Sequence, residues 1–456
     1  MVQRTQFLDG VQQVDVGADR LVNLEGLGVH RVDLDEAGCR VVHLLTATDA
    51  AAACPACGVI SASLKERITT RPRDISYGES PLCLVWHKNR WRCRERACPR
   101  ASFTESLPQV PPRSRLTARL RAACGAGIAE GFGDVAAAGA HFGLSWPIAH
   151  AAFITHTTPA LAAPLPPVCV LGIDEIRRGK PQWAQDPDTG KWALVADRWL
   201  TGIVDSAGTG GLLGHVDGRT SALVAAWLKA QPQDWRNGIS HVTIDLSASY
   251  AKAVAQALPD AVIVADRFHL VSLANHAVTE VRQRATRHVR GRRGRRADPE
   301  WANRRRLLTG HEHLTTRSFT KMWNALADTG DPGLEVLHAY TVKEDLRSLL
   351  ALAGTTPDRE LISHRLWRFY DNAAASVSPE IHRLATTIET WWPAIEAAIT
   401  TGHSNARSEG YNRLAKHQGR NAFGFRNTTN QTRRIRWSCT RQHRRAATAI
   451  TAEMPG

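Results

Sequence analysis

The stretch VCVLGIDEI, residues 168–176, decides the fold of this chain. It is a short apolar run rich in β-branched residues, the pattern of a strand buried on both faces, and it carries Asp174. A second such run, HVTI at 241–244, leads directly into Asp245. We therefore predict two strands of one sheet, each of which brings a carboxylate to a shared site.

The segments around these two strands predict the order of strands and helices along the chain. Apolar runs at 199–205 and 210–216 predict two further strands, and a last one is predicted at 261–265. Helical spacing is found at 220–231 and 249–258. Three strands, a helix, a strand, a helix and a strand make the element order of an RNase-H-like α/β domain.

A third acid, Glu409, lies in SNARSEGYNRL at 404–414, which reads as the start of a helix. Three separate carboxylates suit two Mg²⁺ or Mn²⁺ ions, which bind hard oxygen ligands and promote phosphodiester cleavage and transfer. Glu175 is the nearest substitute for Asp174, but neighbouring side chains of a strand face opposite ways, so only one of the two can face the site. Two alternatives stay open at Asp245: it caps the next helix, or Asp266 is the second acid instead.

Two pairs of cysteines precede this region, in CPACG at 54–58 and RWRCRERACP at 90–99. Thiolates at such spacings bind tetrahedral Zn²⁺, so Cys54, Cys57, Cys93 and Cys98 predict one structural zinc ribbon that follows a β-hairpin at 21–49. Four reduced core cysteines are the alternative. Cys83 and His87 lie between the pairs as substitute ligands, which we leave out of the predicted site.

Residues 116–160 change to helical spacing, with a turn at FGLS, 142–145. Three helices with such a turn predict a helix-turn-helix that reads DNA or serves as a packing module. The Pro-rich stretch 159–167 predicts a linker. Residues 271–400 read as a helical region that begins with an arginine-rich, partly disordered hinge, and Gly424 predicts a turn that packs Phe423 and Phe425 near the site.

The composition favours a polyanionic partner. The chain of 456 residues has 58 Lys+Arg against 43 Asp+Glu, a formal charge of +15 and a pI near 9.8, as in many DNA-binding proteins. A solvated basic surface is the alternative. The predicted DNA contacts are Arg90, Arg92, Arg292, Arg293, Arg295, Arg413, Lys416 and Arg420. With neither a signal peptide nor a transmembrane run in the sequence, we expect no membrane partner and a cytoplasmic location.

Taken together, CPACG, GIDE at 172–175, DLSASY at 245–250, ADRFHL at 265–270 and SNARSEGYNRLAKHQGRNAFGFRN at 404–427 resemble the DDE transposases of bacterial insertion sequences, of the ISL-three type. The resemblance implies a catalytic triad of Asp174, Asp245 and Glu409, with Asp266 and His269 as an accessory pair near the site. It also implies a nucleoid-associated enzyme that binds the terminal inverted repeats of its element as a dimer or larger oligomer.

The multidomain α+β division expected from this resemblance has five parts. They are a β region with the zinc ribbon at 1–112, a helix-turn-helix domain at 113–160, the first part of the RNase-H-like core at 161–270, an all-helical insertion at 271–400, and the last part of the core with a basic tail at 401–456. A long excursion at 177–198 departs from the family pattern. It is a subgroup feature, or a hairpin that reaches DNA through Trp183 and Trp192.

Two other functions remain open from the sequence. One is a sequence-specific DNA-binding regulator with an inactive RNase-H-like scaffold, against which the three acids argue. The other is a nuclease that cuts without joining, which the motifs do not separate from a transposase. Strand joining by the purified protein distinguishes the three.

Overall fold

The computed structural model describes residues 16–77, 82–440 and 443–444. The chain divides into two compact units between Ala163 and Pro164. Of the basic tail, which the sequence predicts at 433–445, residues 433–439 belong to a helix, and residues 441, 442 and 445 lie outside the described residues. None of the described helices combines the length and the hydropathy needed to cross a bilayer.

The first unit begins with a β-sheet and ends with three helices. Its elements are α1 (Val16–Val22), β1 (Leu27–Leu34), β2 (Arg40–Thr46), a short 3₁₀ helix (Asp49–Ala52), β3 (Leu64–Thr70), β4 (Leu82–Arg92), β5 (Ser102–Thr104), α2 (Ala118–Glu130), α3 (Val135–His141) and α4 (Trp146–Ala162). The sheet order is β1-β2-β4-β3, and β5 pairs with β4. β1 and β2 are antiparallel, which confirms the predicted hairpin.

A buried carboxylate organises the centre of this sheet. Glu105, 2% exposed, accepts hydrogen bonds from Thr46 at 2.7 Å, from the Asn89 backbone at 2.9 Å and from the Trp91 indole at 3.1 Å. A buried charge is tolerated when donors surround it. Glu105 therefore fixes β4, which carries Cys93 just beyond its end, against β2.

The three helices follow the predicted spacing. Thr117 and Asp134 cap α2 and α3 through their side chains, and Ser145 is the N-cap residue of α4, with Pro147 in the first turn. The linker prediction is wrong at its start, because α4 continues through Pro159 to Ala162. Pro159 falls in the last turn, where its missing N–H removes a single hydrogen bond and does not end the helix.

The second unit is a five-stranded sheet with helices. Its elements are β6 (Val170–Arg177), β7 (Gln182–Gln185), β8 (Trp192–Ala196), β9 (Trp199–Asp205), β10 (Leu212–Asp217), α5 (Ser221–Lys229), α6 (Gln233–Asn237), β11 (His241–Ile244), α7 (Ala248–Ala257), β12 (Val262–Ala265), α8 (Arg267–Arg290), α9 (Pro299–Ala302), 3₁₀ turns (Arg306–Leu308, His311–His313), α10 (Thr316–Ala327), α11 (Asp331–Leu350), α12 (Arg359–Ala374), α13 (Pro379–Thr390), α14 (Trp392–Thr401), α15 (Ala406–Asn421) and α16 (Thr428–Cys439).

The order of the main sheet is β10-β9-β6-β11-β12. β6, β11 and β12 are parallel, and β9 runs antiparallel to both of its neighbours, β6 and β10. All five predicted strands form. Ile173, Val242 and Ile244 are fully buried, so the two apolar runs identified from the sequence are the centre of the sheet.

The helices from α8 to α14 enclose a second apolar core, which continues into β12 through Ala265. The predicted disordered hinge is wrong: α8 runs unbroken to Arg290, and ion pairs anchor the segment after it. Arg290 contacts Glu300 at 3.1 Å, and Arg292 contacts Asp298 at 2.7 Å. These two acids neutralise part of the arginine cluster, whose like charges would otherwise repel one another.

Candidate metal centres and active site

The four predicted cysteines form a cluster whose sulfur atoms all lie within 4.8 Å of one another. Cys54 Sγ lies 3.8 Å from Cys98 Sγ, and Cys57 Sγ lies 3.6 Å from Cys93 Sγ. A tetrahedral zinc with Zn–S bonds of about 2.3 Å holds its sulfurs about 3.8 Å apart. The cluster therefore fits Zn²⁺ without rearrangement.

Backbone amides prepare one of these thiols for metal binding. Desolvation raises the pKa of Cys54, but the N–H groups of Ala56 and Cys57 lower it to about 7 on balance, and a thiolate is the form that binds metal. The substitute ligands lie elsewhere: Cys83 is outside the cluster, and His87 Nε2 lies 2.9 Å from His43 Nδ1. The packing of Cys54, Cys93 and Cys98 against Trp91 and Phe103 completes the ribbon.

Asp174 and Asp245 lie side by side where the pairing of β6 with β11 ends, a place that we call the acid edge. Asp174 is 8% exposed; its Oδ1 accepts the Glu175 N–H at 2.7 Å and its Oδ2 accepts the Asn412 amide at 2.6 Å. Burial, followed by the charge of Asp245, raises the pKa of Asp174 to about 7. Two hydrogen bonds hold this carboxylate in place, and the charge of His269 offsets its desolvation only in part.

Asp245 follows β11 directly, and it shares a cluster with Asp266 and His269. His269 Nδ1 lies 3.0 Å from Asp245 Oδ1 and 3.0 Å from Asp266 Oδ2. The contact with Asp245, then that with Asp266, raises the pKa of His269 to about 10. At neutral pH the imidazolium therefore holds two carboxylates together.

The hydrogen-bond geometry at His269 separates the two acids. The Nδ1 hydrogen donates to Asp266, which is 3% exposed and also accepts the Asn405 N–H at 3.4 Å. Asp245 Oδ1 lies 3.0 Å from the same Nδ1 but accepts no well-directed hydrogen bond among the described residues. Asp245 is also the more exposed of the two, with 24% of its side chain accessible against 5% for Asp266, so its oxygens are better placed than those of Asp266 to hold a metal ion.

The alternative that Asp245 caps α7 is wrong. The N-cap residue is Ser247, whose hydroxyl accepts the Tyr250 N–H. Since Ser247 supplies the cap, the carboxylate of Asp245 is left for another role. Glu175 faces away from Asp174 as predicted, and it accepts a hydrogen bond from the Tyr250 hydroxyl at 2.7 Å.

Glu409 lies half-buried in the first turn of α15. The structure does not place it in the cluster of Asp245, Asp266 and His269. Residues of its helix on both sides of Glu409 nevertheless contact the acid edge. Asn405, four residues before it, contacts Thr243 at 3.2 Å, and Asn412, three residues after it, contacts Asp174. Residues three and four apart share a helix face, so Glu409 belongs to the face directed at β6.

Gly172 permits this approach. A Cβ atom added at Gly172 would collide with the hydroxyls of Ser206 and Ser408 and lie 3.0 Å from Asn405 Oδ1. The glycine of GIDE is therefore needed for the close contact between β6 and the start of α15. It brings two elements together that are more than 200 residues apart in the sequence, by the numbering of Gly172 and Ser408.

From the sequence, Asn405 is a candidate helix cap or substrate contact, and it is the N-cap residue of α15. Sequence reasoning missed Asn412 and Tyr250, which also position the acids. Helical spacing from Glu409 was a signal for Asn412, since it lies at i+3. Tyr250 lies in the DLSASY motif, but its hydroxyl contact with Glu175 depends on the packing of α7.

The predicted DNA contacts differ in their availability. Arg413, Lys416 and Arg420 are exposed on α15, as are Arg293 and Arg295 in the segment after α8. Three guanidinium groups have protein partners: Arg90 pairs with Glu66, Arg92 donates to Leu64, and Arg292 pairs with Asp298. The prediction that Phe423 packs near the site is wrong, because it is 101% exposed in a left-handed backbone conformation.

Two parts of this chain match known protein families. Residues 171–435 match a transposase family, the ISL3 type of DDE transposase. Residues 50–98 match the zinc-finger of the transposases IS204/IS1001/IS1096/IS1165. The two matches cover the acid edge with α15 and the cysteine cluster.

Individual relatives are of the same kind. The chain is 30% identical to the transposases for insertion sequence element IS1557 of two Mycobacterium tuberculosis strains over 250 residues, 50% of this chain and 54% of each relative, so it spans about half their length. It is 24% identical over 413 residues to the IS1001 transposase of Bordetella parapertussis, covering 88% of this chain and 92% of that one. Among solved structures, the Drosophila P element transposase strand transfer complex aligns with TM-score 0.37 and 9% identity, over 70% of this chain and 91% of that one.

Proposed function

This chain belongs to the ISL3 family of DDE transposases, and we propose that it binds the terminal inverted repeats of an insertion sequence, cleaves their strands and joins the freed ends to target DNA. The proposed catalytic acids are Asp174, Asp245 and Glu409. The observation that carries the proposal is the acid edge of the sheet, where Asp174 and Asp245 lie close enough for the charge of Asp245 to add to the effect of burial and raise the pKa of Asp174. A helix with a third acid packs against the strand that carries Asp174.

The donor set supports two Mg²⁺ or Mn²⁺ ions. Asp245 Oδ1 accepts no well-directed hydrogen bond among the described residues, and burial raises the pKa of Asp174 to about 7, so each carboxylate would be stabilised by a bound metal ion. When bound, such ions activate the attacking oxygen and stabilise the leaving oxygen of a phosphodiester. Asp174, Asp245 and Glu409 would hold them, with Asp174 as the ligand shared between the two ions.

The chain's own residues give the site its shape. Asn412 fixes the carboxylate of Asp174 through its amide, and Asn405 ties the start of α15 to Thr243 and Asp266. His269 donates its Nδ1 hydrogen to Asp266, so Asp245 remains available as the second ligand. Asp266 and His269 are thus an accessory pair that positions Asp245 and does not replace it.

The remaining parts have supporting roles in this proposal. The sheet order β10-β9-β6-β11-β12 supports an RNase-H-like core, interrupted by the helical region. α3 and α4 serve as a helix-turn-helix that recognises the element ends, beside a zinc ribbon that contributes to folding and to DNA contact. Because two ends must be joined, the active species is a dimer or a larger oligomer on DNA.

Exposed cations of α15 support contact with the DNA backbone beside the acids. Arg413, Lys416 and Arg420 are spaced three and four residues apart and so line one helix face. Lys and Arg side chains on one face can neutralise successive phosphates. A fall of affinity with rising salt is the expected signature.

A strand-transfer assay tests the function. The purified protein is incubated with a labelled duplex of the element end and target DNA, with Mg²⁺ and with EDTA. Joined products that require Mg²⁺ are expected. End-specific binding with neither cleavage nor joining in Mg²⁺ or Mn²⁺ would instead identify a DNA-binding regulator, and cleavage without joining would identify a nuclease.

A further inference from the structure

A hairpin between β6 and β9 projects from the acid edge. β7 and β8 form a two-stranded sheet of their own, and the Arg178 N–H donates to the Arg198 carbonyl at 2.7 Å, so the hairpin continues the β6–β9 ladder. Asp174 lies within β6, whose last residue is Arg177. The hairpin therefore extends outward from the strand that carries the first acid.

One face of this hairpin is aromatic. Trp183 lies opposite Leu194, and Gln185 lies opposite Trp192. Residues that are opposite each other or two apart in a strand share a face, so both indoles and Leu194 are on the same side. Trp183 is 56% exposed, Trp192 66% and Leu194 45%. A cluster of large exposed apolar side chains on one surface is typical of a binding site.

The turn holds this face in a defined conformation. Asp186 Oδ1 accepts the N–H groups of Asp188 at 3.0 Å and Thr189 at 2.7 Å, and the Gln185 amide donates to the Gly190 carbonyl at 2.8 Å. Gly190 has a φ of 65°, which favours glycine. Because a two-stranded hairpin is marginal alone in water, these bonds keep the two indoles on a common surface before any partner binds.

The segment that contains the hairpin also carries positive charge. The segment from the end of β6 to the start of β9 contains five cations, Arg177, Arg178, Lys180, Lys191 and Arg198. Of its three acids, Asp186 is engaged in the turn and Asp197 pairs with Arg219 at 3.1 Å. Lys180 and Lys191 are exposed and form no ion pair among the described residues. The hairpin thus combines flat apolar rings with cations, the combination that binds single-stranded nucleic acid.

We propose that Trp183 and Trp192 stack on unpaired bases of the DNA strand that is cleaved at the acid edge. This inference rests on the function proposed above, and it identifies the part of the substrate that the hairpin holds. Every base has a π face, so stacking tolerates any sequence, while Lys180 and Lys191 attract the adjoining phosphates. The hairpin would hold the separated strand near Asp174 while the other parts of the protein recognise the duplex.

A second copy of this chain is the other occupant to consider for this face. A stable protein interface takes about 20–30 residues from each partner. The aromatic face offers two indoles and one leucine between polar side chains, which is too small for such an interface. Charge also opposes it, because two copies would bring the same cations together.

Binding of a short oligo(dT) strand tests the inference, because it requires neither cleavage nor joining. The variant Trp183→Ala/Trp192→Ala is expected to lose about a hundredfold in affinity, roughly tenfold for each ring. Trp183→Phe/Trp192→Phe should retain most of it. The matched control is Trp367→Ala on α12, since Trp367 is also exposed, at 63%; its affinity should equal that of the original protein.

The outcomes separate this inference from the proposed function. Unchanged oligo(dT) binding by the double alanine variant would overturn the inference. If that variant also changed its oligomeric state in sedimentation without DNA, the aromatic face would instead be a contact between two copies of the chain. Stacking through the hairpin in a protein that never joins strands would support the inference and contradict the proposed function. Strand transfer that is unaffected in the alanine variant on both paired and unpaired end substrates would overturn the role at the cleaved strand.

Discussion

The two metal sites of this protein differ in how completely they are assembled before a metal binds. In the zinc ribbon, two local turns bring four thiols to tetrahedral distances. At the acid edge, Asp245 is held near Asp266 by an imidazolium, Asp174 is buried with a raised pKa, and Glu409 lies on a helix outside the cluster. Neutral thiols can pack together, whereas carboxylates repel each other. We infer that the first site is a folding element and the second is completed by its ions and substrate.

Removing a thiol should give the largest effect. Cys93→Ser is expected to abolish stoichiometric zinc binding and to unfold the ribbon, because a structural zinc site is worth about 10–16 kcal/mol of folding free energy. Zinc content measured with a colorimetric chelator, together with limited proteolysis, checks this. The matched control is Cys83→Ser, on β4 but outside the cluster, which should keep its zinc; equal loss from both variants would contradict the assignment.

At the acid edge, removal of a metal-ligand charge should stabilise the metal-free protein, whereas removal of a thiol should destabilise the zinc ribbon. Asp174→Asn is expected to abolish strand transfer and yet to stabilise the metal-free fold above neutral pH. In the folded protein the pKa of Asp174 is raised to about 7, above its ordinary value. The folded state therefore binds the extra proton, and stability falls as pH rises from about 4 to about 7. The variant lacks this loss, which is on the order of 1–4 kcal/mol.

Urea unfolding in EDTA at about pH 5 and about pH 8 measures the difference. The advantage of Asp174→Asn should grow with pH. Asp205→Asn is the matched control, because Asp205 is equally buried but accepts backbone N–H groups from Gly208 at 2.7 Å and Gly210 at 2.9 Å; this variant should be less stable than the original protein. An advantage of Asp174→Asn that is constant over pH would contradict the account.

A methyl group at Gly172 should separate the two elements that form the acid edge. Gly172→Ala forces Ser408 and Asn405 away from β6, at a cost of about 1–3 kcal/mol, and it moves Glu409 with them. Strand transfer should fall by more than tenfold while binding to the element end persists. Gly202→Ala, in the neighbouring strand, has only ordinary contacts of 3.5 Å and 3.7 Å and should be active; similar defects in both would show that α15 is not the cause.

The smallest expected effect concerns the imidazolium. Because the folded pKa of His269 is raised to about 10, its stabilising contribution is complete below about pH 6.5 and disappears as pH rises through about 10. The difference in Tm between the original protein and His269→Gln should therefore shrink between neutral pH and about pH 10.5. His276→Gln, on the same helix and exposed, should show no such change; a pH-independent difference for His269→Gln would disprove the ion pair.

The sequence predicted those parts that short-range patterns determine. Buried runs such as VCVLGI and HVTI gave the central strands, and the spacing of Cys54 with Cys57 and of Cys93 with Cys98 gave the ribbon ligands. The end of α4 was missed because Pro159 breaks the pattern but not the helix. The ordered conformation of the arginine-rich segment after α8 was missed as well, because it depends on ion pairs with Asp298 and Glu300 that no local pattern reveals.

The acid edge was predictable in its members but not in its arrangement. The apolar strand patterns predict the positions of Asp174 and Asp245. Only the structure shows that Ser247, and not Asp245, caps α7. The contact of Asn412 with Asp174 depends on the close packing that Gly172 allows. Such contacts join residues over 200 positions apart, and the spacing of side chains within one element carries no information about them.

The central claim is that α15 supplies the third acid to the edge formed by Asp174 and Asp245. The most direct measurement is the strand-transfer rate of Glu409→Gln at saturating Mg²⁺, with binding of the element end followed in the same samples. The account predicts that joined products disappear, by roughly a thousandfold or more, since a metal ion contributes several kcal/mol to the transition state, while binding is unchanged. Strand transfer by Glu409→Gln at the original rate would contradict it.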